Sequence, residues 1–473
     1  MTTVESPIKP RRTTPASRSV ALLTAVAIAA MSGPAQAQSA PERGLPVIRD
    51  AEIEQLLRDY TQPILRSAGL SQQNIRIVII NERSFNAFVI DGRRIFINAG
   101  ALMESETPNQ IIGVLAHETG HISGGHLSKL REQLANASTQ SILATVLGVG
   151  AMIAAAKSGS QSGGDIGAAA LTAPQEAIRR SLLAYVRQHE EQADRAGVKY
   201  LTATGQSAKG MYDTFKRLAD QMLFSARLVD PYVQSHPMPS ERVAALGDLA
   251  KASAHWDKKD SAELQQRHDL MRAKLHGFME RPDTVARRYP ATDGSLAARY
   301  ARAISSYRHS DLRNAITQID SLIQAQPNNP YFHELKGQAL LESGQAAAAI
   351  APLRRAVQLA PHPALTQVLL GQALIATNEA KLADEAVSLL RGAMAREPEV
   401  PEGYTQLAMA FGRKGDLAQA DLASAQAAAA RGDMRTARDL ATRAKTRFPV
   451  GTPGWVKADD IVGAKPPSGS WLQ

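Results

Sequence analysis

Between residues 50 and 67 apolar side chains return every third or fourth position. Ile53, Leu56, Leu57, Tyr60, Ile64 and Leu65 fall on one side, and that period predicts an amphipathic helix. The pattern then shortens. Residues 76–81, 88–90 and 94–97 carry the apolar runs of short strands, the last two joined across Asp91-Gly92. Gln110 to Ala116 is apolar and compatible with helix. Ile142 to Ala156 is apolar and uncharged, and a Gly/Ser-rich patch follows at 158–167. That run is short for a membrane span, so two readings stand: a buried core helix, or a segment that touches a membrane surface. Leu182, Leu183, Tyr185, Val186, Ala193 and Ala196 draw an apolar stripe on an otherwise charged helix. A further helix is expected over Met211 to Leu223, and residues 250–290 read as polar and helical.

Beyond residue 295 the pattern itself repeats. Ala303, Gly337 and Gly371 stand 34 apart, as do Ala315 and Ala349, and Pro327 and Pro361. After Asp384 the register slips, and Ala386 and Pro398 arrive three residues late. Tyr404, Leu407, Ala408 and Phe411, then Ala437, Ala444 and Pro449, extend the series with weaker agreement. Small residues at such positions let paired helices approach, and the prolines stop the second helix. This is the tetratricopeptide period, and about four units meet the minimum for a stable solenoid.

Chemistry enters at residues 117–121, His-Glu-Thr-Gly-His. Four residues along a helix advance about 400°, so His117 and His121 share one face and Glu118 lies beside them. Two imidazoles at this spacing suit one metal ion, with Glu118 as general base toward a water. Such a site activates water against a peptide carbonyl. A third ligand is needed. His126 misses the spacing of a third histidine by one residue, and on a continuous helix it turns about 180° from His117. Gly124-Gly125 could break the helix and loosen that objection. The other candidate lies in the charged segment 187–197, where Glu190 and Asp194 are four apart and share a face. A carboxylate at Glu190 would complete a His₂Glu set, with Asp194 orienting a ligand histidine from behind. A solvated acidic face reads equally well from the residues alone.

Composition narrows the address. The chain has 473 residues, 44% of them hydrophobic, enough for two or three cored domains. Lys9, Arg11, Arg12 and Arg18 precede an apolar stretch from Val20 to Met31 and the small residues Ala35-Gln36-Ala37. That is the form of a secretory signal peptide, with a mature start near Gln38. There is no cysteine, which excludes disulfides, a lipid-modified cysteine and thiolate ligands. The formal charge of +9 falls to +6 once residues 1–37 are set aside, an excess that favours anionic surfaces or acidic partners. No nucleic-acid motif or basic–aromatic interleaving is present, so no nucleic-acid partner is expected.

The pentapeptide 117–121 followed by Glu190-Glu191-Gln192-Ala193-Asp194 resembles the gluzincin-type zinc peptidases of the HtpX and CAAX-prenyl-endopeptidase family. Asn86-Ala87-Phe88, Gly92, Ile95 and Gly100-Ala101-Leu102 look like that family's upstream hairpin, and His236-Pro237 through Arg242 resembles its H-P-x-x-x-x-R segment. The resemblance covers nearly all of the chain past the signal peptide. It is strongest to a periplasmic subgroup with a C-terminal tetratricopeptide array. It implies that Glu190 is the third ligand beside His117 and His121, on one Zn2+ per chain. It implies Asp194 as the close of the motif and His126 as a non-ligand. Gln192 stands where the subgroup often has an acid, at a position that is not a ligand. The 236–242 segment is then a loop near zinc. His236 could take the open coordination position and hold the enzyme latent, and Arg242 could stabilise the oxyanion or pair with a carboxylate of the site.

The expected fold is mainly α with a small β-sheet, a zincin-like metallopeptidase domain followed by a tetratricopeptide α-solenoid. The boundaries read as signal peptide 1–37, metallopeptidase 38–250, helical connector 251–295, repeats 296–450 and C-terminal tail 451–473. By resemblance the protein is a periplasmic zinc endopeptidase. Its substrates are misfolded or stalled outer-membrane β-barrel proteins, and its repeats engage the barrel-assembly machinery. The competing expectation is a chaperone-like assembly factor whose protease site is latent.

Overall fold

The computed structural model of the chain describes residues 46–135, 163–224, 231–309 and 311–464. The signal peptide expected over 1–37 and the apolar run 142–156 lie outside the described residues. Pro46–Val462 forms one compact unit. Among the described residues no helix is long and apolar enough to cross a membrane.

Four strands, β1 (Val47–Ile48), β2 (Arg76–Ile80), β3 (Ala87–Val89) and β4 (Arg94–Asn98), form one sheet in the order β1-β2-β4-β3. β4 runs parallel to β2, with Ile77 opposite Ile95 and Ile79 opposite Ile97. It is antiparallel to β3, with Phe88 opposite Phe96. Ile95, Phe96 and Ile97 are fully buried, as suits a central strand covered on both faces. The three expected strands fall within a residue of these bounds; β1, two residues long, was not foreseen.

Helices α1 (Ala51–Ser67), α2 (Ala99–Glu104) and α3 (Pro108–Ser123) surround the sheet. The Asp50 side chain caps α1 by accepting from the Ile53 backbone N–H at 2.9 Å. α3 opens on Thr107-Pro108, and Gln110 Oε1 accepts from the backbone N–H of Glu106 at 2.6 Å and of Thr107 at 3.3 Å. Because Ile111 through Ala116 are buried all round, α3 runs through the middle of the core. Its neighbours are α4 (Gly163–Ala203), α5 (Lys209–Phe224), α6 (Pro231–Ser235) and α7 (Ser240–Lys251).

The α3–α4 contact positions the chemistry. A Cβ on Gly120 would stand 2.8 Å from the Ala193 carbonyl oxygen, and one on Gly197 would stand 3.3 Å from the Ala116 carbonyl carbon. Only glycine lets the two helices touch backbone to backbone here. That approach carries Glu190 and Asp194 to the imidazoles of α3.

Helix α8 (Ala262–Met279) and the short α9 (Pro282–Arg288) follow. Met271 and Leu275 of α8 belong to the core around α3, whereas Leu270 and Ala273 belong to the next one. Ten helices then run from residue 296 to residue 463: α10 (Leu296–His309), α11 (Leu312–Ala325), α12 (Pro330–Glu342), α13 (Ala346–Leu359), α14 (Ala364–Ala376), α15 (Ala380–Arg396), α16 (Pro401–Arg413), α17 (Leu417–Ala430), α18 (Met434–Arg447) and α19 (Pro453–Gly463). They stack as a solenoid. A Cβ on Gly337 would meet Leu353, and one on Gly371 would meet Leu390, each closer than 3.0 Å, so the repeating glycines are the contact points of paired helices. The register slip also has its cause: α13 has 14 residues and α15 has 17, so the extra three are a longer second helix. The stretch expected to be a tail from residue 451 is in part a helix, α19, whose buried Ala458 packs against Leu422 and Ala444.

Candidate metal centre

The side-chain donors of His117, His121, Glu190 and His236 converge, with one ligand atom from each lying within 4.8 Å of every other. His117 Nε2 stands 3.0 Å from His121 Nε2, 3.4 Å from His236 Nδ1 and 3.3 Å from Glu190 Oε2. Glu190 Oε1 is 3.4 Å from His121 Nε2, and its two oxygens are 3.1 and 3.0 Å from His236 Nδ1. A tetrahedral ion with bonds of ~2.0–2.1 Å separates its ligands by roughly 3.3 Å. The observed spacings bracket that edge. Three imidazole nitrogens and one carboxylate are also the donor types a borderline divalent cation takes. The residues therefore fit a metal.

Behind the donors lies a second row of contacts. His117 Nδ1 faces Asp194 Oδ1 at 2.9 Å, and Arg242 clamps Asp194 with Nε to Oδ2 at 2.7 Å and Nη2 to Oδ1 at 2.9 Å. Arg242 Nη1 reaches Glu190 Oε2 at 3.0 Å and donates to the Pro237 carbonyl at 2.9 Å. Of its two expected readings the geometry is that of carboxylate pairing. His126 Nδ1 lies 3.1 Å from His121 Nδ1, on the side of that ring away from the donor cluster, and His126 Nε2 meets Gln192 Oε1 at 3.2 Å. The continuous-helix argument for His126 does not apply, because α3 ends at Ser123 and Gly125 turns the chain at φ +61°. Gln192 thus has a partner, and His126 also stacks on His189 at 4.3 Å between centroids.

Glu118 is fully buried, and its Oε2 has no hydrogen-bond partner among the described residues. Its Oε1 is 3.4 Å from Tyr232 Oη and 3.5 Å from His236 Nε2. Tyr232 was missed in the sequence. It precedes His236 by one helical turn, and its ring lies 4.6 Å from the imidazole, so the i, i+4 spacing to a candidate ligand was the available signal. Phe215 was missed too; it packs edge-on against His117 at 5.1 Å and beneath the Arg242 guanidinium at 5.6 Å.

The electrostatics follow from burial and crowding. Burial opposes charge on His117, but Asp194 and Glu190 outweigh it and hold the ring up at about 9. His121, buried and beside a charged His117, is pushed well below the usual imidazole range. Burial would raise Glu190, yet His236, His117 and Arg242 together hold it well below the carboxylate range. Glu118 goes the other way: burial raises it against the pull of His236 and His117. One carboxylate is thus kept ionised and its neighbour is made basic, a division of labour seen in hydrolytic sites.

Comparison with known proteins agrees with this picture. The sequence model of Peptidase family M48 matches residues 48–250. The beta-barrel assembly-enhancing protease of Yersinia pestis is 24% identical over 418 residues, covering 86% of this chain and 82% of its own length. The protein of the same name from Escherichia coli (strain K12) is 24% identical over 420 residues, with the same coverage of 86% and 82%. The metalloprotease YcaL of Escherichia coli (strain K12) is 27% identical over 195 residues, 40% of this chain and 69% of its own.

Proposed function

We propose that this chain, whose residues 48–250 match the sequence model of Peptidase family M48, is a zinc-dependent endopeptidase that serves the assembly and quality control of outer-membrane β-barrel proteins. The observation that carries the reading is the convergence of His117, His121 and Glu190 on one point beside a buried Glu118. In this reading the three side chains hold a divalent cation, and zinc suits two nitrogens and a carboxylate best. Bound there, the ion supplies Lewis-acid polarisation of the scissile carbonyl and acidifies water.

The protein's own groups do the rest. The partnerless Glu118 Oε2 takes the proton of the attacking water and passes it to the leaving amine. Asp194 fixes the His117 ring from behind, and Arg242 fixes Asp194. β3 is an edge strand, and an extended substrate pairs along such an edge through main-chain hydrogen bonds, which explains tolerance of many sequences. His236 stands in the donor set and occupies the place a substrate needs, a resting state that must open for turnover. The relatives' name, beta-barrel assembly-enhancing protease, supports a role in barrel assembly. In this reading stalled or misassembled barrel proteins are the substrates, the periplasm is the address, and the repeat array is the surface for the assembly machinery.

The purified full chain should hold one zinc per molecule by elemental analysis. Glu118→Gln should keep that zinc and lose hydrolysis of an unfolded protein by about 10²–10⁴-fold, the span attributed to a general base. Undiminished cleavage by that variant would end the reading. His236→Ala should cleave faster than the parent at equal zinc content, and an unchanged or slower rate would dismiss the resting-state role. The position of His236 also favours a second reading, an assembly factor whose proteolysis is a minor activity. Cells in which Glu118→Gln fully supports barrel assembly would select it.

A further inference from the structure

A second concentration of charge lies away from the metal centre. Arg83, Arg217, Arg272 and Arg288 line one cavity of about 480 Å³, together with His276. They come from four separate places: the loop after β2, then α5, α8 and α9. Like charges that share a cavity repel, so a fold that assembles four of them needs an offset.

The protein offsets them only in part. Glu104, Glu106 and Glu280 share the wall, one carboxylate short of the guanidinium count. Such contacts as form are loose, Arg217 Nη1 to Glu104 Oε2 at 3.3 Å and Arg288 Nε to Glu280 Oε2 at 3.6 Å. Arg242 and Asp194, by contrast, meet at 2.7 Å. Among the described residues no carboxylate lies within ion-pair distance of Arg83 or Arg272. Arg83 donates to the Met279 carbonyl and Arg272 to the Met103 carbonyl at 3.2 Å. A guanidinium carries five N–H donors, so most of the capacity is unspent.

His276 supplies an independent sign. It is 2% exposed, its Nδ1 stands 3.1 Å from Glu280 Oε1, and its Nε2 has no hydrogen-bond partner among the described residues. A buried polar atom without a partner is costly, and a ligand that engages it removes the cost.

We propose that this cavity is a binding site for a phosphate ester, with the four arginines on its oxygens and the buried His276 Nε2, left an acceptor by the Nδ1 proton that faces Glu280, taking a hydroxyl of the ester's organic group. A carboxylate would be satisfied by one bidentate arginine, whereas a phosphate group has oxygens for several. The cavity is also many times the ~30 Å³ of a single water, which leaves room for an organic group beyond the phosphate. That group belongs either to a soluble ester or to a phospholipid headgroup. The site stands whether or not the chain hydrolyses peptides.

The test uses the full chain at constant ionic strength, with chloride as the competing anion. Calorimetric titration with glycerol phosphate reads the soluble source. Co-sedimentation with phosphatidylglycerol vesicles, against phosphatidylcholine vesicles, reads the lipid source. Saturable binding in either arm is expected, weakened about tenfold by Arg272→Gln and by Arg288→Gln, as loss of a charge-assisted bond implies. Arg288 is exposed and its one ion contact is loose, so its variant should fold; a matched melting curve checks this. Arg58→Gln, on the exposed side of α1, should bind like the parent. Binding absent in both arms, or binding that the Arg288 variant leaves intact, overturns the proposal.

Discussion

Arg242 shows how much one side chain can organise. It is buried, and it satisfies two acids at once, Asp194 through a two-pronged contact and Glu190 through Nη1. Arg242→Gln keeps some hydrogen bonding but takes the guanidinium charge away from both acids. Removing one member of a buried ion pair typically costs about 3–5 kcal/mol, and loss of a partner behind a ligand weakens metal binding about 10–100-fold. Urea unfolding and zinc competition against a chelator should show both effects together, and a variant that binds zinc like the parent would remove Arg242 from the site. Spacing made His117, Glu118 and His121 legible, since a turn of helix fixes their common face. It left Glu190 undecided, because an acid on a charged helix looks the same whether it faces water or an ion. The choice for Arg242 was likewise open until its neighbours were known.

Among the elements, α8 carries the clearest pH dependence. His268 sits on it, fully buried, with Nε2 2.8 Å from the Ser105 carbonyl and Nδ1 3.0 Å from Tyr60 Oη. A carbonyl only accepts, so Nε2 carries the proton and Nδ1 accepts from the tyrosine. A second proton would break the tyrosine bond, and burial accordingly pushes the imidazole down to about 4. The unfolded chain, at about 6.5, then binds the proton more tightly than the folded one. Stability is therefore full above pH 6.5 and declines as pH falls toward 4, by up to about 3 kcal/mol from this group. Melting curves from pH 7.5 to 4.5 should show that decline, flattened in His268→Gln; an equal slope in the variant would refute it. Element boundaries read well where a period was long. The 34-residue repeat even located the lengthened α15 as a slip. Two-residue β1 has no period to read, and α19 follows Pro449 and Gly451, which punctuate the chain like the start of a tail.

At the scale of the whole molecule the question is what joins the peptidase elements to the array. Lys274 of α8 is buried with its ammonium 2.7 Å from Asp50 and 3.1 Å from Glu52 at the head of α1. Tyr300 of α10 donates to Glu52 at 2.9 Å. Lys274→Ala strands an acid in the interior and should destabilise the fold by about 3–5 kcal/mol. Adding Glu52→Gln should recover part of that loss in a double-mutant cycle, whereas additive losses would show that the pair is uncoupled. Sequence patterning described this stretch as a polar connector, because residues buried on two sides of one helix leave no single apolar stripe.

Two faces of α8 serve two interiors, so neither half of the protein owns it. A peptidase unit grafted onto a foreign array would lack the surface that closes its base unless the graft carried Ala262–Met279 with it. In lineages that exchange arrays, the crossover point should fall beyond this helix, in the turn after Tyr289-Pro290 rather than near residue 251.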